Sequence, residues 1–410
     1  MTMSMTPTYQ HPPHTPDAAP QSMISLRGLG KTYPDGTVAV GSIDLDVPEG
    51  QLVCLVGPSG CGKTTTLKMI NRLIEPSCGK IFIDGNEVTG VSPLHLRRGI
   101  GYVIQQVGLF PHENIWNNVA TVPRLLGWNK QRCRQRAGEL LELVGLDPAA
   151  YGNRYPAQLS GGQRQRVGVA RALAADPPVL LMDEPFSAID PIARHNLQQE
   201  FLRVQREVRK TIVMVTHDID EAVLLSDKIA IFKQGGSLEQ YDSPAALLSR
   251  PANDFVAEFV GAERGLRRLG VTPIQTDDIG RQPTVHTDDR LAPARHTLDD
   301  QRARWAVVLE PDQRLAGWIK RADMDGDGLV RERIRPLDAT VGADSTLKDA
   351  MAEMLQHDAG WVAVIEPGTR RYLGVLTPTL LHTALRRAVD LENTVEITPS
   401  VEVLDTMMKA

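Results

Sequence analysis

Residues 57–64 read Gly57-Pro58-Ser59-Gly60-Cys61-Gly62-Lys63-Thr64. The apolar run at 51–56 predicts a buried strand before this loop, and apolar residues at helical spacing predict a helix over 64–74 after it. A strand, a glycine-rich loop and a helix in this order are the context that the GxxxxGK[ST] pattern requires. In that context the backbone N–H groups of the loop and the helix N-terminus converge on phosphate oxygens.

The side chains of this loop have separate expected roles in binding a nucleoside triphosphate. Lys63 reaches the β- and γ-phosphates, and the Thr64 hydroxyl ligates Mg²⁺. A chance glycine turn is the alternative, and the flanking strand and helix argue against it. The residues predicted to hold the nucleotide at this loop are Gly57, Pro58, Ser59, Gly60, Cys61, Gly62, Lys63, Thr64 and Thr65.

Acidic and basic side chains follow two further apolar runs. The run 179–182 leads into Asp183 and Glu184, and the run 212–216 leads into His217. Burying two adjacent carboxylates unpaired is costly, so Asp183 is expected to hold Mg²⁺. Glu184 then lies where a general base polarises the attacking water. His217 at the end of a parallel strand, beside a phosphate site, favours a functional role over a structural one.

A second glycine-rich segment, Leu159-Ser160-Gly161-Gly162-Gln163, opens a helix predicted over 163–173. Many proteins carry a phosphate-binding loop, but very few carry this second motif with it. With the motifs in this order, the chain resembles the nucleotide-binding subunits of ABC transporters over roughly residues 24–262. The resemblance implies ATP and Mg²⁺ as cofactors.

The resemblance also implies roles for residues outside the phosphate loop. Tyr33 corresponds to the aromatic residue that stacks on adenine. Gln105 corresponds to the glutamine near Mg²⁺ and the water; the adjacent Gln106 is an alternative that the following sequence disfavours. His217 corresponds to the switch histidine that contacts the γ-phosphate, and Asp190 belongs to the D-loop. The implied catalytic residues are Glu184, His217 and Gln105, and the implied Mg²⁺ ligands are Thr64, Gln105 and Asp183.

The signature segment has a physical logic of its own. Because Lys63 already serves one γ-phosphate, a second phosphate grip is best used on the ATP of another subunit. The family implies a head-to-tail homodimer with two shared sites. The residues expected to act on the partner's ATP are Ser160, Gly161, Gly162 and Gln163.

Three stretches, 69–76, 100–105 and 119–128, resemble the glycine betaine/proline/choline branch of ABC importers. The implied function is an ATP-hydrolysing subunit that energises import of a compatible solute. The implied partners are integral membrane permease subunits and, indirectly, a periplasmic or lipid-anchored solute-binding protein. The implied location is peripheral, on the cytoplasmic face of the inner membrane. The alternatives are an importer ATPase for another small solute, a soluble ABC ATPase acting on ribosomes or DNA, and a regulatory ligand sensor.

Composition fits this function class. The chain has 410 residues, 42% of them hydrophobic and 23% charged, and a net charge of −5 that argues against general nucleic-acid binding. No apolar run approaches the roughly 18–20 residues of a membrane span. Residues 1–23 lack a signal-peptide pattern and are expected to form a disordered tail. The four cysteines show no CxxC spacing, which suits a reducing compartment.

A repeat appears after residue 263. Thr284-Val285 recurs as Thr340-Val341, and Trp305 recurs as Trp361, each 56 positions later. The repeats resemble a tandem CBS module, with a degenerate first unit at 263–335, a second at 336–390 and a tail at 391–410. The predicted fold class is therefore α/β: a P-loop ABC-type ATPase domain with a mixed sheet core and a helical subdomain, followed by an α+β CBS pair.

Such modules commonly bind adenine nucleotides through a Thr or Ser and an Asp after the final strand. This pattern is split here, because the first repeat has Lys320 and Asp323 at the two places and the second has Thr377 and Leu380. Neither pair is complete. A dimer-stabilising or gating module without a ligand is an equal alternative.

Overall fold

The computed structural model describes residues 22–105, 108–187, 189–261 and 263–390, with the backbone alone for 191–193 and 388–390. The described chain divides between Ser243 and Pro244 into two compact units. The predicted tail at 391–410 and most of the tail at 1–23 lie outside the described residues. Ser22 and Met23 already belong to the first strand, so the predicted tail is wrong at these two positions.

The first unit contains a mixed sheet flanked by a smaller antiparallel one. The smaller sheet has the order β2-β1-β4-β5 and the larger sheet the order β10-β9-β3-β8-β7-β6. In the larger sheet, β6, β7, β8, β3 and β9 are parallel and β10 is antiparallel to β9. The strands are β1 (Ser22–Thr32), β2 (Val38–Pro48), β3 (Leu52–Val56), β4 (Cys78–Ile83), β5 (Asn86–Glu87), β6 (Ile100–Val103), β7 (Val179–Asp183), β8 (Thr211–Val215), β9 (Lys228–Lys233) and β10 (Ser237–Asp242).

The central strands explain why the apolar runs of the sequence are continuous rather than alternating. Every residue of β3, β7 and β8 is buried. A parallel strand covered on both faces needs apolar side chains at every position, which is the pattern of these three segments. Their carboxyl ends lie at one edge of the sheet, where the phosphate-loop, Asp183 and His217 segments begin. The mixed sheet core predicted from the sequence is therefore confirmed.

Helices of the first unit include the predicted helical subdomain, formed by α3 to α7. The helices are α1 (Lys63–Ile70), α2 (Pro93–Arg98), α3 (Ile115–Val119), α4 (Thr121–Leu125), α5 (Lys130–Leu143), α6 (Pro148–Tyr151), α7 (Gly161–Leu173), α8 (Pro191–Val208) and α9 (Ile219–Leu225).

The helix predicted over 64–74 is wrong at its C-terminal end. Helix α1 ends at Ile70, and Arg72 takes a left-handed φ of 47°. The backbone N–H groups of Leu73 and Ile74 return to the carbonyl of Lys68, which closes the helix instead of extending it. Leu73 is consequently 47% exposed, although its spacing predicted a place on the buried face.

The second unit contains two three-stranded sheets of the same design. Their orders are β11-β12-β13 and β14-β15-β16, each with one parallel and one antiparallel pair. The elements are α10 (Pro244–Ser249), α11 (Asp254–Val260), α12 (Arg264–Val271), β11 (Thr284–His286), α13 (Leu291–Asp300), β12 (Trp305–Leu309), β13 (Leu315–Lys320), β14 (Thr340–Gly342), α14 (Leu347–Gln356), β15 (Val362–Ile365), β16 (Tyr372–Leu376) and α15 (Pro378–Asp390).

Segments that connect the repeats cross from one to the other. Gly280, which precedes β11 in sequence, exchanges two backbone hydrogen bonds with Val375 of the second repeat. Arg335, which precedes β14, exchanges two with Trp318 of the first repeat. Leu269 of α12 also packs in the hydrophobic cluster of the second repeat. The second repeat is therefore completed by Leu269 and Gly280, which precede β11 in sequence.

The two repeats also pack directly against each other. Trp305 and Trp361, the pair that revealed the repeat, stack with ring centroids 4.3 Å apart and an interplanar angle of 14°. Val307 and Leu309 of β12 share a buried cluster with Ala363 and Val375 of the second sheet. The sheets thus face each other across a common core, as two halves of one module.

Candidate active site

A cavity of about 270 Å³ lies at the carboxyl ends of the parallel strands. It combines the glycine-rich loop with two side chains that the sequence places more than 100 residues further on. Its lining contains residues of the predicted site only: Ser59, Gly60, Cys61, Gly62, Lys63, Thr64, Thr65, Glu184 and His217.

Two glycines of the loop occupy positions that no other residue could take without rearrangement. Gly57 has φ of 150°, and a Cβ there would lie 2.2 Å from the carbonyl oxygen of Phe232. Gly62 has φ of 95°, and a Cβ there would lie 2.2 Å from the carbonyl oxygen of Ala39. The loop can therefore pass close to the neighbouring strands and present its N–H groups inward.

The amine of Lys63 is held inside the loop. Lys63 is only 7% exposed, and its Nζ donates hydrogen bonds to the carbonyl oxygens of Gly57 at 2.7 Å and Pro58 at 2.9 Å. A phosphate group is a stronger acceptor than these carbonyls because its charge assists the hydrogen bond. The arrangement keeps a buried cation partnered and ready for an anionic ligand.

Two of the three Mg²⁺ ligands predicted from the sequence, Thr64 and Asp183, are in direct contact. The Thr64 hydroxyl donates a hydrogen bond of 2.9 Å to Oδ1 of Asp183. Burial raises the pKa of Asp183, while the Thr64 hydrogen bond and the charges of Lys68 and Lys63 oppose the rise. A hydroxyl and a buried carboxylate at this spacing are oxygen donors of the kind that Mg²⁺ takes, so the residues fit the metal.

Glu184 follows β7 in a constrained position. Its φ is 44°, and its N–H donates to the carbonyl of Val215 at 2.9 Å. Its Oε2 accepts a hydrogen bond from Nε2 of Gln105 at 2.9 Å, and its Oε1 lies 3.3 Å from Nδ1 of His217. The three predicted catalytic residues are therefore brought together. A left-handed φ at a non-glycine residue of an active site is a strained conformation that the surrounding structure maintains.

The remaining predicted site residues do not line this cavity. Tyr33 is half-buried, and the Nζ of Lys31 lies 5.6 Å from its ring centroid. Asp190 accepts a hydrogen bond from the backbone N–H of Arg194 through its main-chain oxygen. Gln106, the alternative to Gln105, lies outside the described residues. So does Ala188, which precedes Asp190 in the D-loop.

Ser160 has a structural role that the sequence analysis missed. It is the N-cap of α7: its Oγ accepts from the N–H of Gln163 at 3.3 Å, and its own N–H donates to Oε1 of Gln163 at 2.9 Å. This reciprocal pair is a capping box, for which Ser-x-x-Gln before a helix is the sequence signal. The helix consequently begins at Gly161, two residues before the predicted start.

Comparison with protein families places two models on the chain. A model described as ABC transporter matches residues 40–187, and one described as CBS domain matches residues 334–386. The first covers the phosphate loop, the signature segment and the Asp183–Glu184 strand end. The second covers the second repeat.

Curated relatives match most of the chain. The osmoprotectant import ATP-binding protein OsmV of Salmonella typhimurium is 46% identical over 85% of this chain and 92% of its own length. The choline transport ATP-binding protein OpuBA of Bacillus subtilis is 45% identical over 87% of this chain and 94% of its own length. The chain belongs to this family of ABC importer ATP-binding subunits. It is an ATPase of the kind that couples hydrolysis to transport.

Another relative of the same family has a higher percentage identity over a shorter matched stretch. The glycine betaine uptake system ATP-binding protein YehX of Escherichia coli is 51% identical over 62% of this chain and 81% of its own length. Among solved structures, cbiO1 of Clostridium perfringens, part of the transporter complex cbiONQ, has a TM-score of 0.54 at 24% identity. The match covers 61% of this chain and 95% of the cbiO1 chain, and it supports the ABC ATPase fold. Within the described ranges of this importer subunit, no helix has the length and apolarity of a membrane span.

Proposed function

We propose that this subunit energises import of a compatible solute such as glycine betaine, choline or proline. The observation that carries the proposal is the extent of the similarity to OsmV and OpuBA, which runs through both the ATPase and the repeat module. The solute itself binds elsewhere in the transporter, so the residues of the cavity carry the energy source rather than the specificity. An importer ATPase for another small solute is the alternative.

The contacts in and around the cavity support a separate binding role for each of the predicted site residues. Lys63 exchanges the carbonyls of Gly57 and Pro58 for the phosphates of ATP. Thr64, Asp183 and Gln105 would hold Mg²⁺, which supplies charge neutralisation on the phosphates when bound. Tyr33 would stack on the adenine.

Glu184 accepts a proton from the attacking water in the proposed hydrolysis. Gln105 contacts one oxygen of the carboxylate and His217 contacts the other, so the carboxylate has one orientation before the nucleotide arrives. This fixed orientation lowers the cost of reorganisation at the moment of reaction. His217 is also near enough to the cavity to contact the γ-phosphate.

The proposed assembly is a homodimer in which the signature segment of one subunit completes the cavity of the other. The position of Ser160, Gly161, Gly162 and Gln163 outside the lining of their own cavity supports this arrangement. Asp190 would lie near the shared boundary. Integral membrane permease subunits and, indirectly, a solute-binding protein complete the transporter, with this chain at the cytoplasmic face of the membrane.

The domain bounds are part of the proposal. The ATPase domain would span 24–262, and the CBS repeats 263–335 and 336–390. The compact units divide earlier, at Ser243, because α10 and α11 lie with the second unit. The crossing of segments between the repeats supports a module that acts as one body.

Copurification followed by an uptake assay tests the proposed function. The chain is expressed with a candidate permease, and transport of radiolabelled glycine betaine is measured in vesicles with ATP on the side of this subunit. We expect an integral membrane protein to copurify, and excess choline or proline to reduce uptake where the transporter shares these solutes. Copurification with uptake of none of the three would favour a different small solute. Failure to recover any membrane protein would favour the soluble ATPase.

A further inference from the structure

Glu221 is a buried carboxylate that the proposed hydrolysis does not use. It lies in α9, four positions after His217, and is only 6% exposed. Burying a carboxylate away from water is costly unless hydrogen bonds and charges compensate. Its partners therefore indicate what the side chain does.

On one side, Glu221 is connected to both neighbours of His217. The Thr216 side chain lies close enough to the Glu221 carboxylate to lower its pKa against the effect of burial. Asp218 accepts a hydrogen bond from the backbone N–H of Glu221 at 3.3 Å, and the N–H of Asp218 donates to Oγ1 of Thr216 at 3.1 Å. The residues before and after His217 therefore both adjoin Glu221, Thr216 at its side chain and Asp218 at its backbone N–H.

On the other side, Glu221 is connected to α8. Nε2 of Gln198 donates a hydrogen bond to Oε1 of Glu221 at 3.0 Å, and Gln198 is itself buried. The positive charge of Arg194, one helical turn before Gln198, also acts on Glu221. Nη2 of Arg194 donates to the carbonyl of Ile189 at 3.0 Å, and the backbone N–H of Arg194 donates to the carbonyl of Asp190 at 2.8 Å.

We propose that Glu221 is a positioning residue that couples the segment carrying His217 to the segment carrying Asp190. The connection runs from Thr216 through Glu221 to Gln198 and Arg194, and from there to the main chain of Ile189. A shift of His217 toward the γ-phosphate would then be accompanied by a shift of the Asp190 segment. The inference rests on the proposed roles of His217 and Asp190.

The surroundings of Glu221 act on its charge in opposing directions. Burial raises the pKa of Glu221, and the charge of Asp218 acts in the same direction, against the hydrogen bonds from Thr216 and Gln198 and the charge of Arg194. Nε2 of Gln198 is the hydrogen-bond donor placed against the carboxylate. An amide of the same shape can replace it if the donor and acceptor pattern is kept.

A charge swap between Gln198 and Glu221 tests the coupling. Gln198→Glu places a second carboxylate against Glu221, and we expect kcat for ATP to fall by about tenfold or more with KM unchanged. Adding Glu221→Gln restores a carboxylate–amide pair and should return kcat to within about threefold of the wild type. The control is Gln199→Glu, the same charge change at the exposed neighbour, which should leave kcat within about twofold.

Each alternative outcome overturns the coupling. An unchanged kcat in Gln198→Glu, or a double variant no faster than the single one, removes Glu221 from the connection. A purely structural role would lower the folded fraction and leave kcat per folded molecule intact, so the folded fraction is measured for every variant. Wild-type turnover and its loss in Glu184→Gln are measured in the same assay. These two rates test the proposed hydrolysis independently of the Gln198 variants.

Discussion

Oε2 of Glu184 accepts a hydrogen bond of 2.9 Å from Nε2 of Gln105, although 79 positions separate the two residues. Gln105 follows β6 and Glu184 follows β7, and these two strands are parallel neighbours in the sheet. Adjacent parallel strands end at the same edge, so the fold itself brings the amide to the carboxylate. The site is therefore organised before a nucleotide binds.

Lys63→Ala should weaken ATP binding strongly. The variant removes a buried cation that lies within the phosphate loop, and a charge-assisted contact to phosphate is lost with it. We expect the dissociation constant for ATP to rise by about tenfold or more, measured by titration with a fluorescent ATP analogue. Lys80→Ala, which removes a lysine paired with Glu87 at the surface, is the control. Equal affinity of Lys63→Ala and the control would contradict the role.

Ser160→Arg should block dimerisation and hydrolysis while the isolated subunit still binds ATP. The expected reason is that the signature segment serves the partner's nucleotide. Because Ser160 also caps α7, the variant loses about 1 kcal/mol of helix stability for an unrelated reason. Ser160→Asn keeps a capping side chain and controls for this loss.

Mixing Ser160→Arg with Lys63→Ala sharpens the test of shared sites. A mixed dimer holds one intact site and one doubly altered site, so some ATPase activity should return on mixing. ATP binding lost by isolated Ser160→Arg subunits would argue that the segment serves its own cavity instead.

Adenine nucleotides should bind the repeat module weakly or not at all. Asp323, which stands at the Asp place of the nucleotide-binding pattern in the first repeat, is paired with Arg335 at 2.8 Å. The Arg335 hydrogen bond, against a small opposing effect of burial, holds the pKa of Asp323 below its usual range. Calorimetry with AMP, ADP and ATP compares the Lys63→Ala chain with the same variant lacking residues 264–390, so that binding by the module is the difference between the two chains. Micromolar binding would refute this expectation.

Deleting residues 264–390 should leave a folded chain that hydrolyses ATP. The residues of the cavity all lie before residue 220, in the first compact unit. We expect kcat within about threefold of the full chain, and transport that persists but responds less to an intracellular signal. A truncated chain that cannot fold would show instead that the module is needed for stability.

The sequence predicted the parts of the site that local pattern determines. The apolar runs ending at Val56, Asp183 and Thr216 are strands buried on both faces, so their composition alone revealed them. The 56-residue repeat likewise predicted two related α+β units, and their first strands start at the recurring Thr284 and Thr340.

Features that depend on contacts between distant segments were not predictable in the same way. The pairing of Gly280 with Val375 joins the two repeats across distant parts of the chain, for which one sequence gives no signal. The early end of α1 reflects a left-handed residue at Arg72, a side chain without preference for that conformation. The capping box at Ser160 did have a local signal, which is the Ser-x-x-Gln pattern at the start of α7.

The steady-state ATPase rate of Glu184→Gln tests the central claim most directly. This variant keeps the size of the side chain and its contacts with Gln105 and His217 possible, but the amide cannot accept a proton from water. With Glu87→Gln as the control, we predict a kcat about 100-fold or more below the wild type and an unchanged dissociation constant for ATP. A nucleotide-bound dimer should then accumulate. A rate equal to that of the wild type would contradict the assignment of Glu184 as the base that drives import.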